Sequence, residues 1–296
     1  MADTGMGTTQ GWSQYLVSQM DPRVSRWPLM ASPWIPVGTV GVYLAVVFGG
    51  PKLMKGRDSV NLQTIIVMYN FALVALSAYM CYEFLVSAVL AKYSLVCQPV
   101  DYSSHPNSLR MARVCWLYYI SKYIELADTV FFILRKKSGQ ITFLHVYHHA
   151  TMILNWWLGV AFVAGGQSFF HPLLNTAVHV VMYTYYGLAA LGPHWQPYLW
   201  WKKYLTTLQL TQFAIVMVHT VTNIIAPCAF PKGFNWAVSI YALSLIALFS
   251  NFYRKAYRTP KPATKRSESN GVHKEEHQNN NIRRKHIHGE MLGSHS

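Results

Sequence analysis

The stretch "QITFLHVYHHATM", residues 140–152, sets His145, His148 and His149 at i, i+3 and i+4 inside a run that is otherwise apolar enough for a bilayer. That spacing places the three imidazoles on one face of a helix. A polar side chain turned toward lipid is costly, so the face must look into protein. The reading of this stretch decides whether the chain is an enzyme, a metalloprotein or a carrier.

Its surroundings are those of a membrane protein. Of the 296 residues 52% are hydrophobic and only 12% are charged, where a soluble domain carries about a quarter of its residues as charges. Apolar stretches of helix length occur near 34–54, 62–89, 112–134, 141–164, 172–191, 204–226 and 236–253, each close to the ~20 residues that span a bilayer. The expected fold is all-α and polytopic, with seven transmembrane helices, and not an outer-membrane barrel. Three parts are expected: an N-terminal lumenal segment (1–33), a transmembrane catalytic domain (34–253) and a basic, disordered cytosolic tail (254–296). The first 33 residues lack the apolar core of a cleavable signal, so the first span itself is expected to direct insertion.

Lys and Arg gather on one side: Lys52, Lys55, Arg57, Arg135, Lys136, Lys137, Lys202, Lys203 and the tail. The opposite loops hold fewer, Arg23, Arg26, Lys92, Arg110, Arg113 and Lys232. The positive-inside rule then places the N-terminus in a lumen and the C-terminus in the cytosol. The formal charge of +14 follows from this asymmetry together with attraction to anionic head groups, and no nucleic-acid partner is expected. Cys97 and Cys228 fall in two loops on the non-cytosolic side, where a disulfide between them is chemically reasonable. Cys81 and Cys115 lie within spans and read as packing residues.

Polar groups cluster within four consecutive spans. In "SKYIELADTVFFILRKK", Lys122, Glu125 and Thr129 share a face, with Asp128 at its edge. A structural Lys122–Glu125 ion pair explains that face as well as catalysis does. In "NTAVHVVMYTYYG", Asn175, His179, Met182 and Tyr186 form a stripe with Tyr183 and Tyr185 beside it, and in "KKYLTTLQLTQF" Lys202, Thr206 and Gln209 form another, continued by Gln212 and His219. Polar stripes on adjacent helices enclose a polar cavity. A membrane metal oxidase or desaturase also uses HxxHH, but needs roughly eight imidazole ligands from several boxes, and one box is present here. A transporter would show broken helices or paired halves, and neither is evident in the sequence. Histidine-based acid–base or covalent catalysis on a lipid remains, with a non-catalytic acyl carrier as a further alternative.

"KYIELADT" (122–129), "HVYHH" (145–149), "HVVMYTYY" (179–186) and "TTLQLTQF" (206–213) together resemble, in order and one per span, the signature boxes of the very-long-chain fatty acid elongases, over residues of about 21–258. The resemblance is strongest to the animal very-long-chain and polyunsaturated branch. It implies a 3-oxoacyl-CoA synthase of the endoplasmic reticulum that condenses a long-chain acyl-CoA with malonyl-CoA, releasing CO2 and CoA. It further implies seven helices, six of them in a barrel around an acyl tunnel, with no cofactor and no metal.

By the same resemblance His148 is the acylated residue, with His145 orienting it or relaying a proton and His149 supporting it. An imidazole can serve as a nucleophile where no thiolate is placed to do so. His179 and Asn175 would face His148, polarise the malonyl thioester and stabilise the enolate. Lys122, Arg135, Lys137, Gln140, Tyr185, Lys202, Thr206 and Gln209 match the CoA-contacting positions, and Glu125, Asp128, Thr129, Tyr183, Tyr186 and Gln212 complete a polar network. The implied partners are acyl-CoA, malonyl-CoA, the bilayer and the ketoreductase, dehydratase and enoyl reductase of the cycle, and a homo-oligomer is compatible with this reading. The final residues, "GEMLGSHS", lack the dilysine retrieval signal of several relatives, so retention is expected to depend on the spans, on partners or on "RRKH".

Overall fold

The computed structural model describes residues 9–258. The expected disorder of the tail falls mostly on residues outside that range, as does the start of the N-terminal segment. All regular structure among the described residues is helical: α1 (Thr9–Ser18), α2 (Trp34–Leu53), α3 (Gln63–Leu90), α4 (Pro106–Glu125), α5 (Ala127–Leu134), α6 (Phe143–Val163), α7 (Phe170–Ala190), α8 (Lys202–Ile225) and α9 (Lys232–Tyr253). Residues up to Tyr253 form one unit, and Arg254–Arg258, which have π-helical spacing, belong to a second.

Four helical segments are long and apolar enough to cross a membrane: Trp34–Leu53, Gln63–Leu90, Lys202–Ile225 and Lys232–Arg258. Their outer faces carry exposed apolar side chains such as Phe48, Met68, Val218 and Ile240, which only lipid can satisfy in a multi-pass membrane protein. α4, α6 and α7 are 20 to 21 residues long but more polar, because each bears one of the stripes described above.

The stretch expected as one span at 112–134 is not one helix. It begins earlier, at Pro106, where His105 caps the N-terminus by accepting from the Asn107 N–H and the proline occupies a position whose N–H needs no helical partner. It then breaks at Leu126, where three-residue bonds tighten the turn: Leu126 N–H donates to Tyr123 O and Thr129 N–H to Leu126 O, each at 3.2 Å. Thr129, expected on one face with Lys122 and Glu125, therefore ends with different neighbours.

Within this unit the neighbour relations close on themselves. α3 packs on α4, α4 on α6, α6 on α9, α9 on α8, α8 on α7, and α7 again on α3, while α2 lies against α5 and α6. The α3–α7 contact is close because Gly187 faces the Phe71 ring. A Cβ there would stand 3.1 Å from the nearest ring carbon, tighter than ordinary packing allows.

The N-terminal segment is more than a flank. Met20, Val24 and Met30 are buried in the main core with Phe84, Met111, Tyr118, Tyr119 and Val160. Asp21 and Arg23 form a buried ion pair at 2.6 Å, and Arg23 also donates to Ser108 Oγ at 2.6 Å and to Ala164 O at 3.1 Å. These bonds join the segment to the start of α4 and the end of α6. Nearby, Cys97 is disulfide-bonded to Cys228, 131 residues away, as expected from the two loops. Gly166 has φ +55 and sits against Val100, a left-handed backbone that favours glycine.

Candidate functional site

Two clusters of polar side chains meet between α4, α5, α6 and α7. The first is built on the last turns of α4. Lys122 Nζ donates to Glu125 Oε1 at 2.7 Å, and both side chains are almost wholly buried, at 2% and 4% exposure. The ion pair expected from the sequence thus forms. It is compensated as a buried pair must be, since an isolated charge there would cost several kcal/mol. Lys122 Nζ also stands 4.2 Å over the Tyr118 ring and reaches Asn175 Oδ1 at 3.4 Å. Tyr118 OH donates to the same oxygen at 2.6 Å. His179 Nδ1 lies 3.5 Å from Glu125 Oε1, and Ser121 Oγ donates to that carboxylate at 3.4 Å. α7 thereby delivers Asn175 and His179 to a charge pair that α4 supplies.

The second cluster belongs to α6. Thr142 caps this helix, its hydroxyl accepting from the His145 N–H at 3.2 Å, a bond that fixes where the first turn begins. His145 Nε2 then meets Thr129 Oγ1 at 2.7 Å, and Tyr43 of α2 meets the same hydroxyl at 3.2 Å. The His145 and His149 rings are 4.4 Å apart and those of His148 and His149 5.5 Å. His148 Nδ1 lies 3.3 Å from Tyr241 OH.

His148 and His149 are half-buried. Lys122, Glu125 and His179 lie within electrostatic range of His148, although no hydrogen bond joins His148 to His179. Among the described residues no three His, Cys, Asp or Glu side chains are grouped as metal ligands. Imidazole nitrogens of the box engage Thr129 and Tyr241.

The other candidates are distributed as follows. Asp128 lies near Tyr69 and Tyr183, and the Tyr183 ring lies 5.4 Å from His179. Tyr185 is buried 4.9 Å from Trp201, whereas Tyr186 is exposed. Gln209 donates to Met182 Sδ at 3.4 Å. Thr206 and Gln212 are buried, the amide nitrogen of Gln212 without a hydrogen-bond partner. Lys137, Gln140 and Lys202 are exposed and Arg135 half-buried, at helix ends; Lys122, grouped with them by resemblance, is inside the bundle. His219 lies elsewhere, 2.6 Å from Gln167 Nε2 and stacked on Phe170 at 4.1 Å.

Sequence reasoning passed over Tyr118, Tyr43 and Tyr241. Tyr118 is four residues before Lys122, and extending the α4 stripe by one turn reaches it. Tyr43 and Tyr241 sit on apolar helices where no pattern marks them.

These features define, over the described residues, an all-helical, multi-pass membrane protein with a cluster of histidines beside a buried ion pair between its helices. Comparison with known proteins is specific: the chain matches the ELO family (GNS1/SUR4 family) over residues 28–265 and belongs to that family. It is 46% identical over 273 residues to very long chain fatty acid elongase 4 of Macaca mulatta, covering 92% of this chain and 87% of the relative. Against elongase 7 of Rattus norvegicus it is 50% identical over 244 residues, covering 81% and 87%. Against elongase 1 of Homo sapiens the identity is 44% over 267 residues, covering 88% and 94%.

Proposed function

We propose that this chain elongates fatty acids as the condensing enzyme, a 3-oxoacyl-CoA synthase that joins a long-chain acyl-CoA to the two-carbon unit of malonyl-CoA. The observation that carries the reading is a half-buried His148 within electrostatic range of the buried Lys122–Glu125 pair and of His179, with Asn175 bonded to the same pair, inside a membrane protein. Family membership and relatives named as very long chain fatty acid elongases support the substrate class.

The chemistry balances without a cofactor. Nε2 of His148 attacks the acyl thioester, a C–N bond forms, the C–S bond breaks, and CoA leaves as thiolate from an N-acylimidazolium. Malonyl-CoA loses CO2, and the C–C electron pair becomes an enolate. The enolate carbon attacks the acyl group, which returns a neutral imidazole and releases the 3-oxoacyl-CoA. The thiolate takes its proton from water. Asn175 Oδ1 is held by Tyr118 and Lys122, which turns its amide N–H groups toward the enolate. His179, with Nδ1 toward Glu125, presents Nε2 to the substrate, and His145 and His149 support the ring of His148.

Arg135, Lys137, Gln140, Tyr185, Lys202, Thr206 and Gln209 bind CoA, the cations pairing with its phosphates. The acyl chain runs in a tunnel within six helices, α3, α4 with α5, α6, α7, α8 and α9, whose cyclic neighbour relations support a barrel with α2 as a seventh, outer span. The enzyme resides in the endoplasmic reticulum with its basic loops cytosolic and its N-terminus lumenal; the disulfide, expected in an oxidising compartment, supports that orientation. The reductase and dehydratase steps of the cycle follow it, performed by partner enzymes.

Expression in an elongase-deficient yeast, followed by fatty acid profiling with a series of fed acyl chains, tests the reading. New products two carbons longer are expected. An unchanged profile for every chain length, with the protein present in the membrane, would overturn it.

A further inference from the structure

We infer that Gln212 of α8 binds the carboxylate of the malonyl substrate, holding it through neutral amide N–H groups until it leaves as CO2. This rests on the decarboxylative condensation proposed above and deepens it, by giving a residue to the group that is lost.

Two contacts fix the register of α8 on α7. Gln209 Nε2 donates to Met182 Sδ at 3.4 Å, and further along α8 the His219 ring stacks on Phe170 at 4.1 Å. The two helices run in opposite directions, so one turn from Gln209 toward His219 matches one turn from Met182 toward Phe170. Those steps arrive at Gln212 and at His179. Gln212 is three residues after Gln209 and seven before His219, spacings that keep the three side chains on one face, the face turned to α7.

Gln212 is 4% exposed, and its Nε2 is buried without a hydrogen-bond partner. Leaving a buried amide N–H unmet is costly, and such a group calls for an acceptor that the folded chain itself does not supply. Among the described residues Trp157 and Asn235 also carry buried nitrogens without partners, but Trp157 belongs to the far half of α6 and Asn235 to the start of α9. At the level of His179 the unmet donor is Gln212, and beside it Gln209 donates to a thioether, a weak acceptor.

The acceptor that fits is the malonyl carboxylate. Asn175 is given to the enolate above, and the nearby buried cation, Lys122, is already paired with Glu125 at 2.7 Å. Decarboxylation favours that arrangement. An ammonium would hold the carboxylate by charge and hydrogen bond together, and that interaction would vanish as neutral CO2 forms. The ground state would gain more than the transition state, and the step would slow. A neutral amide orients the carboxylate with less of this cost. The bond from the carboxyl carbon to the methylene breaks, its electron pair passes to the enolate, and Gln212 neither gains nor loses a proton.

The test uses the full-length protein purified in detergent and takes the two half-reactions apart. Acyl-CoA alone is added first, and CoA release and the acyl adduct are measured; malonyl-CoA is then titrated and CO2 release is followed. Gln212→Met keeps the length of the side chain and removes the donor. The KM for malonyl-CoA should rise about 10- to 100-fold, as expected when a hydrogen bond to a charged group is lost, while acylation, which involves no malonate, keeps its rate. Acetyl-CoA, which lacks the carboxylate, should inhibit the second half-reaction equally in parent and variant. Gln212→Glu sets a like charge against the carboxylate and should lose more than Gln212→Met in the malonyl step. A malonyl-CoA KM within about twofold of the parent in Gln212→Met, or acetyl-CoA inhibition weakened as much as malonyl-CoA binding, would overturn the inference. If Gln212→Met does not fold, Gln212→Glu decides by the same two readings. A parent that forms no acyl adduct removes the underlying reading and this inference with it, whereas an adduct that forms beside an unmoved malonyl-CoA KM removes only the role of Gln212.

Discussion

α2, α3, α8 and α9 differ from α4, α6 and α7 in a way that hydropathy alone registers. The first group is apolar along most of its length and long enough to cross a bilayer. The second group is interrupted by Lys122, Glu125, His145, His148, Asn175 and His179, and no member reaches the same apolar threshold. The difference teaches where a membrane protein places cost. A helix that faces lipid is selected by the solvent, one side chain at a time, whereas a helix that carries a buried charge depends on a partner from another helix. Lys122 and Glu125 are tolerated because they meet each other, Tyr118, Asn175 and His179.

Substitutions in the two groups should therefore have different consequences. The largest effect is expected on chemistry: His148→Ala should reduce incorporation of labelled malonyl-CoA into lipid by at least about 1,000-fold while the protein stays in the membrane. Full activity would remove His148 from its role. Next is Glu125→Gln, which strands the Lys122 ammonium and should destabilise by about 3–5 kcal/mol, read as a lower thermal midpoint in detergent. Adding Lys122→Met should return most of that stability without returning activity, and a double variant as unstable as the single would contradict the stranded ammonium as the cause.

Cys228→Ser opens a loop whose ends are 131 residues apart. A free chain would lose up to about 5 kcal/mol, but helices already inserted in a bilayer have less freedom to gain. A loss of about 1–2 kcal/mol, with elongation retained and altered gel mobility on reduction of the parent only, is the expected result. The smallest effect is expected at the lipid face: Val218→Ala, at a position 67% exposed, should change stability by less than about 0.5 kcal/mol. A large loss there would mean that the face is packed against protein, which would weaken the contrast between the two groups.

The site was legible to the extent that its residues repeat with helical spacing. His148 and His149 share a face with His145, and His179 with Asn175, because each is three or four residues from its partner on one helix. The ion pair of Lys122 with Glu125 was legible for the same reason. The break at Leu126 was not, since leucine is a good helix former and nothing in "YIELADT" marks a turn. Its consequence is specific: Glu125 turns to α7 while Thr129 turns to His145 of α6. Tyr241 was invisible because one hydroxyl in an apolar run has no period. The N-terminal segment buries Met20, Val24 and Met30 against helices far along the chain, contacts that no local pattern encodes.

The sequence by itself determined the membrane class, the helical period of each polar stripe, the two cysteines available to one another and the kinship carried by four ordered boxes, since all of these are properties of neighbours along the chain or of the solvent each residue meets. Tertiary structure decided which stripes face one another, that Asn175 and His179 close on the Lys122–Glu125 pair, and which nitrogen of His148 meets a hydroxyl from α9. Those depend on the packing of helices distant in sequence, where a few tenths of an ångström decide which hydrogen bond forms.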